Sequence, residues 1–250
     1  MVALFHTYLT TPIYNLLVFL VGIIPGGDVG VAVILVTIAV RLILLPLSIS
    51  AVRTQRAMRV VEPEVNAIKK KYANNKEMQA KEMLAVYRKY RIKPFASFLT
   101  MFIQLPVLFA LYWVFKGESL LGIDVAVLYS FVTQPEVISP LFLGVLPVVG
   151  KSIVLGVVAG IAQFFQAYFA IPVPQKKEGG TSSMSQDFGR AMALQARYVF
   201  PLLIGFIAYE TSGAIALYFI TTSVVTIVQE LLMKKTVAPV TPEEPKEKTA

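Results

Sequence analysis

Residues 29–52, VGVAVILVTIAVRLILLPLSISAV, are long enough to cross the hydrocarbon core of a bilayer and contain one charge, Arg41. Hydrocarbon offers backbone N–H and C=O groups no partner, so such a stretch must be a helix that satisfies its own backbone. The pattern recurs at residues 94–115, 151–171, 195–209 and 214–233. A span needs about 20 apolar residues. The run 195–209, bounded by Arg197 and Glu210, is short by that measure and implies little tilt or thinned lipid. Charged residues make up 15% of the 250-residue chain, against about 25% in a soluble domain. An all-α polytopic membrane protein with five transmembrane helices follows.

Two other apolar stretches do not read as spans. Residues 12–24 are too few to cross, and Ile13, Leu16, Leu17, Leu20 and Ile24 share one helical face, which suits a helix lying in the outer interface. Residues 125–149 carry Pro135, Glu136, Pro140 and Pro147, which break a helix too often for a span. They read as part of an outer loop, 116–150, that touches the membrane surface. Residues 1–28 hold no Lys or Arg and so lack the basic start of a signal peptide.

The basic residues orient this plan. Of 23 Lys and Arg, 12 fall in 53–93, four in 172–197 and four in 234–250. Lys and Arg gather on cytoplasmic loops. With the N-terminus outside, five spans place all three basic segments in the cytoplasm together with the C-terminus. The loop at 172–194, with Gly179-Gly180 and Ser182-Ser183, reads as flexible, and the Pro- and Glu-rich tail at 234–250 as disordered.

The segment 53–93 is patterned. Val61, Val65, Ile68 and Tyr72 repeat at helical spacing, Ala73-Asn74-Asn75 offers a turn, and Met83, Tyr87 and Tyr90 repeat again. Two amphipathic helices forming an antiparallel hairpin are expected, each arm about 25 Å long. Lys69, Lys70, Lys71, Arg88 and Lys89 are its candidate docking residues. Charge alone leaves two readings open: a solvated hairpin held near anionic lipid, or an arm that docks something acidic.

Arg41 is the costly residue. It lies 12 and 11 residues from the two ends of its predicted helix, too deep to snorkel. Burying such a charge costs between about 2.5 and 17 kcal/mol without relief. Of the 15 acids only Glu230 falls within a predicted span, three residues from its cytoplasmic end. A buried salt bridge therefore lacks a partner at the depth of Arg41, and a wet cavity that attracts a visiting anion is the expectation. Gln104, Gln163, Gln166, Thr222, Ser223, Thr226 and Gln229 supply polar walls. Each alone is more often a helix–helix hydrogen bond. Together they make a hydrophilic groove open to the cytoplasm. Phe98, Leu99, Phe102, Leu105 and Phe109 give the second span an apolar face beside it. The chain has no cysteine and one histidine, His6, which leaves no Cys or His cluster for a metal. No phosphate-binding glycine loop is present, so neither metal, nucleotide nor other cofactor is expected.

These residues, in this order, resemble the YidC-type membrane protein insertases and their oxidase-assembly relatives. TIAVRLILLPLS (37–48) is similar to the first core helix, with Arg41 at the groove arginine and Pro46 following. VEPEVNAIKKKYANNKEMQAKEMLAVYRKYRIKP (61–94) resembles the cytoplasmic hairpin, MFIQLPVLFALYW (101–113) the second helix with Gln104 and Pro106, and SGAIALYFITTSVVTIVQ (212–229) the last. Phe219, Ser223, Thr211-Ser212-Gly213 and Thr100 depart from the usual pattern and mark a divergent bacterial member, without the large extracytoplasmic domain that some carry.

The resemblance implies a non-enzymatic insertase and folding chaperone for single- and double-spanning proteins in the bacterial plasma membrane. It implies nascent membrane proteins and lipid as partners, with the Sec translocon, the ribosome and signal recognition particle components as further ones, and function as a monomer. Joined to the charge argument, it gives an expected mechanism in which Arg41 attracts a substrate's acidic or polar outer segment while the substrate's apolar helix slides along the second and fourth helices, with Phe98, Phe102, Leu105 and Phe109 on the second. A small channel or transporter is the alternative class. No paired repeat with interrupted helices supports it. A passive assembly chaperone is a third, and would tolerate loss of Arg41.

Overall fold

The computed structural model of the chain describes residues 2–90, 92, 96–115, 122–171 and 184–236. It is an all-α polytopic membrane protein. The helices are α1 (Val2–Phe5), α2 (Thr11–Ile23), α3 (Val29–Ile43), α4 (Leu45–Lys71), α5 (Lys76–Lys89), α6 (Ala96–Phe115), α7 (Ile153–Ala170), α8 (Met184–Leu194), α9 (Phe200–Thr211) and α10 (Gly213–Thr236). A two-residue antiparallel hairpin, β1 (Leu141–Phe142) and β2 (Leu146–Pro147), lies between α6 and α7. Stretches His6–Ile23, Ile153–Ala170, Phe188–Thr211 and Gly213–Met233 are long and apolar enough to cross a membrane; α3 and α4 pass the same test as a broken pair. Two compact units form: residues 1–43 with 106–231, and 44–105 with 232–250.

Proline explains three irregularities. It has no N–H to donate to the carbonyl four residues back, and its ring crowds that carbonyl. Pro46 stands in the first turn of α4, and the chain leaves the helix at Leu44 (φ −84°, ψ −1°). The predicted span 29–52 is therefore broken: α3 stops at Ile43. Pro12 and Pro201 open α2 and α9, and each is preceded by a π-helical turn, His6–Thr10 and Gln195–Val199. There the hydrogen-bond ladder shifts register instead of breaking. Through the second of these turns, α8 continues into α9. The predicted short run 195–209 is thus part of a longer helix, whose apolar stretch begins at Phe188, and no thinned lipid is needed. Residues 184–194 of the predicted loop are helical; its residues 172–183 lie outside the described residues. So does 237–250 of the predicted tail.

In the first unit, the segment between α6 and α7 gathers helix ends. The buried Asn15 donates from Nδ2 to Val127 O (3.0 Å) and Thr11 O (2.9 Å), and its Oδ1 accepts from Tyr129 N (2.7 Å). Tyr14 Oη accepts from Asp124 N (2.9 Å). Asp28 accepts from Val31 N at the start of α3 and from Leu143 N (2.7 Å). The first N–H groups of α10 donate to Gly150 O (3.0 Å) and Val148 O (2.9 Å). Phe5 and His6 each pack 5.5 Å from Trp113, near the end of α6. These bonds rotate α2. Its buried face is Ile13, Tyr14, Asn15, Leu17, Val18 and Val21, rather than the expected Ile13, Leu16, Leu17, Leu20 and Ile24. A polar residue faces inward because the loop's backbone supplies its partners.

Helices α7 and α9 cross closely in the same unit. A Cβ added to Gly205 would lie 3.1 Å from Gly156 O and 3.2 Å from Gly160 Cα. Gly156 and Gly160 are four apart, so both lie on the face toward α9. Small residues at this spacing let apolar helices approach where no hydrophobic effect between them operates in lipid.

In the second unit, α4 and α5 form an antiparallel hairpin about the turn at 72–75. Ala57, Val61, Val65, Val86 and Ile92 are its buried core, with Met58, Ile68, Met83, Tyr87 and Tyr90 packed against it. Asn75 caps α5 by accepting from Met78 N (3.0 Å). Such caps contribute about 1 kcal/mol.

Candidate functional site around Arg41

The break at Leu44 changes the setting of Arg41. The residue stands in the last turn of α3, not at the middle of a long helix. Twelve residues from Val29 put it about 18 Å along the helix, against a hydrocarbon core about 30 Å thick. A helix C-terminus carries roughly half a negative charge on its unpaired carbonyls. Pro46 sharpens this, having no N–H to give Leu42 O. The helix end thus offsets part of the guanidinium charge and leaves the rest uncompensated.

Arg41 is partly buried. Among the described residues it has no ion pair and no hydrogen bond. Tyr218 of α10, itself buried, is the side chain within its electrostatic reach. One turn back on the same face, Thr37 is buried and donates to Val33 O (2.7 Å).

The polar residues expected as walls divide into three groups. Ser223 is fully buried, and its Oγ donates to Gln163 Oε1 (3.1 Å), so these two link α10 to α7. Thr226 donates to Thr222 O (2.8 Å) within its own helix, and Gln229 is partly buried. Gln166 Oε1 and Thr222 Oγ1 are buried with no partner among the described residues. An unsatisfied buried polar atom costs about 1–3 kcal/mol, and such an atom marks a place for water or a polar visitor. The Gln104 side chain lies outside the described residues.

Of the apolar face, the side chains of Phe98 and Phe102 lie outside the described residues, while Leu105 and Phe109 are exposed. In the hairpin, all five expected docking residues are exposed. They form two patches rather than one. Lys69, Lys70 and Lys71 stand at the tip, where α4 ends. Arg88 and Lys89 end α5, about 20 Å down the 14-residue helix. Lys89 pairs with Glu64 (3.5 Å).

Sequence reasoning passed over Tyr218, Thr37 and the glycines of the α7–α9 crossing. Thr37 was legible from its spacing of four from Arg41, and Gly156 and Gly160 from theirs. Nothing in the sequence marks Tyr218 among the chain's 11 tyrosines.

The sequence profile of the 60Kd inner membrane protein family matches residues 20–240. The chain is 31% identical over 210 residues to the membrane protein insertase YidC of Fusobacterium nucleatum, covering 84% of this chain and 88% of that one. It is 30% identical over 212 residues to the YidC insertase of Clostridium tetani, covering 84% of each. With the membrane protein insertase MisCB of Bacillus subtilis it shares 30% identity over 247 residues, 94% of this chain and 82% of that one.

Proposed function

We propose that this chain, which belongs to the 60Kd inner membrane protein family, inserts newly made proteins into the bacterial plasma membrane and helps them fold. Its relatives carry the name insertase, and several of its helices are long and apolar enough to cross a membrane. One observation carries the mechanism. Arg41 sits deep in an apolar helix with no acid or hydrogen-bond acceptor on it among the described residues. The orphaned oxygens of Gln166 and Thr222 support a wet, polar interior in the same unit.

In this reading the charge attracts the acidic or polar outer segment of a substrate. A groove formed by Arg41, Gln163, Gln166, Thr222, Ser223, Thr226 and Gln229 holds that segment part-way across and shortens the apolar barrier. The substrate's own helix moves along Phe98, Phe102, Leu105 and Phe109 into lipid, drawn by burial of apolar area at about 25 cal/mol per Å². No bond is made or broken, so no metal or nucleotide is called for. The N-terminus lies outside and the C-terminus inside. The contacts of Phe5 and His6 with Trp113, and of Asn15 with 127–129, support α1 and α2 lying along the outer interface, since a crossing helix would keep one end there. The protein acts as a monomer, alone or beside the Sec translocon, and its hairpin meets the ribosome or signal recognition particle.

The test uses cells depleted of their own insertase and a small substrate with an acidic translocated tail. Arg41→Lys is expected to support insertion, and Arg41→Ala and Arg41→Glu to fail. Equal insertion of every substrate by Arg41→Ala and wild type would overturn the charge mechanism.

A further inference from the structure

Beside the glycine crossing of α7 and α9 lies an apolar groove of about 930 Å³. Gly156, Gly160 and Gly205 are its floor, where missing side chains let it deepen; Val157, Phe165, Leu202 and Phe206 are among its exposed walls. On α9 the lining extends back to Tyr198, and the residue before it is Arg197. The Arg197 guanidinium sits 4.6 Å over the Tyr168 ring, and Nη2 donates to Tyr168 O (3.1 Å) and Ile171 O (2.6 Å) at the end of α7. Its Nε is buried without a partner among the described residues, and so is Nη1 of Arg190, two turns earlier. At the other end of the groove, Lys151 and Glu210 neutralise each other at 2.7 Å.

Among the described side chains, two arginines lie toward one end of the apolar trough and a neutral ion pair at the other, which is the polarity of a phospholipid. We propose that it binds one anionic phospholipid, with an acyl chain on the glycine floor between α7 and α9 and the phosphate on Arg190 and Arg197. Guanidinium groups match phosphate oxygens in fork geometry. About 10 Å of helix separates the two arginines, a distance their long side chains close. The π-helical turn between them is a deviation that helices often keep at binding positions. Basic pockets between helices on the cytoplasmic side are suited to anionic headgroups. The site takes its leaflet from the proposed orientation but does not depend on insertion.

Replacing Trp113, the chain's sole tryptophan, with Phe and Leu202 with Trp puts a fluorescent reporter in the groove. The variant is reconstituted in phosphatidylcholine vesicles containing brominated phosphatidylglycerol or brominated phosphatidylcholine at equal mole fraction, in both leaflets. Brominated phosphatidylglycerol is expected to quench the more strongly, with a preference of about fivefold per arginine. Arg190→Gln should remove most of one such factor without changing the circular dichroism. A control reporter, Val224→Trp on the exposed side of α10, should show no preference. Equal quenching by the two lipids, a preference untouched by Arg190→Gln, or the same preference at Val224→Trp would each overturn the site. So would a reporter that neither lipid reaches, which would mean that a protein segment or a second copy fills the groove. Because no substrate is present, failure here and failure of the insertion assay are separate results.

Discussion

The α7–α9 crossing makes a graded prediction about stability. Adding one methyl group at each of its glycines meets a different obstacle. At Gly156 the new Cβ falls 2.9 Å from Tyr209 Cβ and 3.1 Å from Gly205 O; at Gly205, 3.1 Å from Gly156 O and 3.2 Å from Gly160 Cα; at Gly160, 3.3 Å from Pro201 O and 3.5 Å from Gly205 Cα. All these neighbours are backbone atoms or a Cβ, which yield only if the helices separate, and the approach is closer at the first two sites. Overpacking of this kind costs about 1–3 kcal/mol. Alanine returns about 1 kcal/mol in each helix through its better propensity. Gly160→Ala should therefore be close to neutral, Gly205→Ala should lose up to about 1 kcal/mol, and Gly156→Ala should lose about 1–2 kcal/mol. Unfolding in mixed micelles, followed by circular dichroism, gives the order. Gly156 and Gly205 contact each other, so the double alanine variant should depart from additivity. If Gly156→Ala is as stable as Gly160→Ala, the close approach of the two helices is wrong.

Asn15→Leu should release the outer loop from α2. It leaves Tyr129 N and Val127 O without their side-chain partner, at about 1–3 kcal/mol for each group that stays buried, and hydrogen exchange at 124–130 should rise by ten-fold or more while α10 stays protected. Val86→Ala should cost the hairpin about 1–3 kcal/mol by opening a cavity beside Val61 and Val65. Limited proteolysis should then cut at 72–75 faster, with the first unit unchanged.

The sequence carried the apolar spans and the hairpin because both are periodic over many residues. What it hid were the effects of single residues on the backbone. Pro46 is visible, yet it looks tolerable inside one long apolar run; only the conformation of Leu44 reveals that a helix ends two residues after Arg41. Residues 184–194 looked like loop because they follow a Gly- and Ser-rich stretch, although their own polar and apolar residues fit one helix. Asn15 is not on the apolar face that Ile13, Leu16, Leu17, Leu20 and Ile24 suggest, and no pattern reveals that the loop's carbonyl and N–H groups bury it. For the polar positions expected as groove walls, the residue types were legible and the pairing was not. Ser223 and Gln163 consume each other's hydrogen bond, whereas Gln166 and Thr222, equally unremarkable in sequence, keep an orphaned oxygen.

The end of α3 separates two ways of tolerating a deep arginine. A carboxylate partner would cancel its charge and leave a substrate nothing to answer. A helix C-terminus offsets only about half a charge, which lowers the cost of burial yet keeps a net positive field. Insertion of acidic segments should therefore stop when a full carboxylate is supplied in the chain itself. Thr37 is the place, one turn before Arg41, where an acid N-terminal to a base pairs in the favourable order. Thr37→Glu should pair with Arg41 and abolish insertion of a substrate with an acidic tail. Thr37→Gln brings nearly the same volume into the same buried position without the charge, and should retain insertion. Substrates with neutral translocated segments should not distinguish the two variants. Equal activity of Thr37→Glu and Thr37→Gln on the acidic substrate would mean that the field of Arg41 does not select it, and that the helix end beneath Arg41 serves only to make the residue bearable.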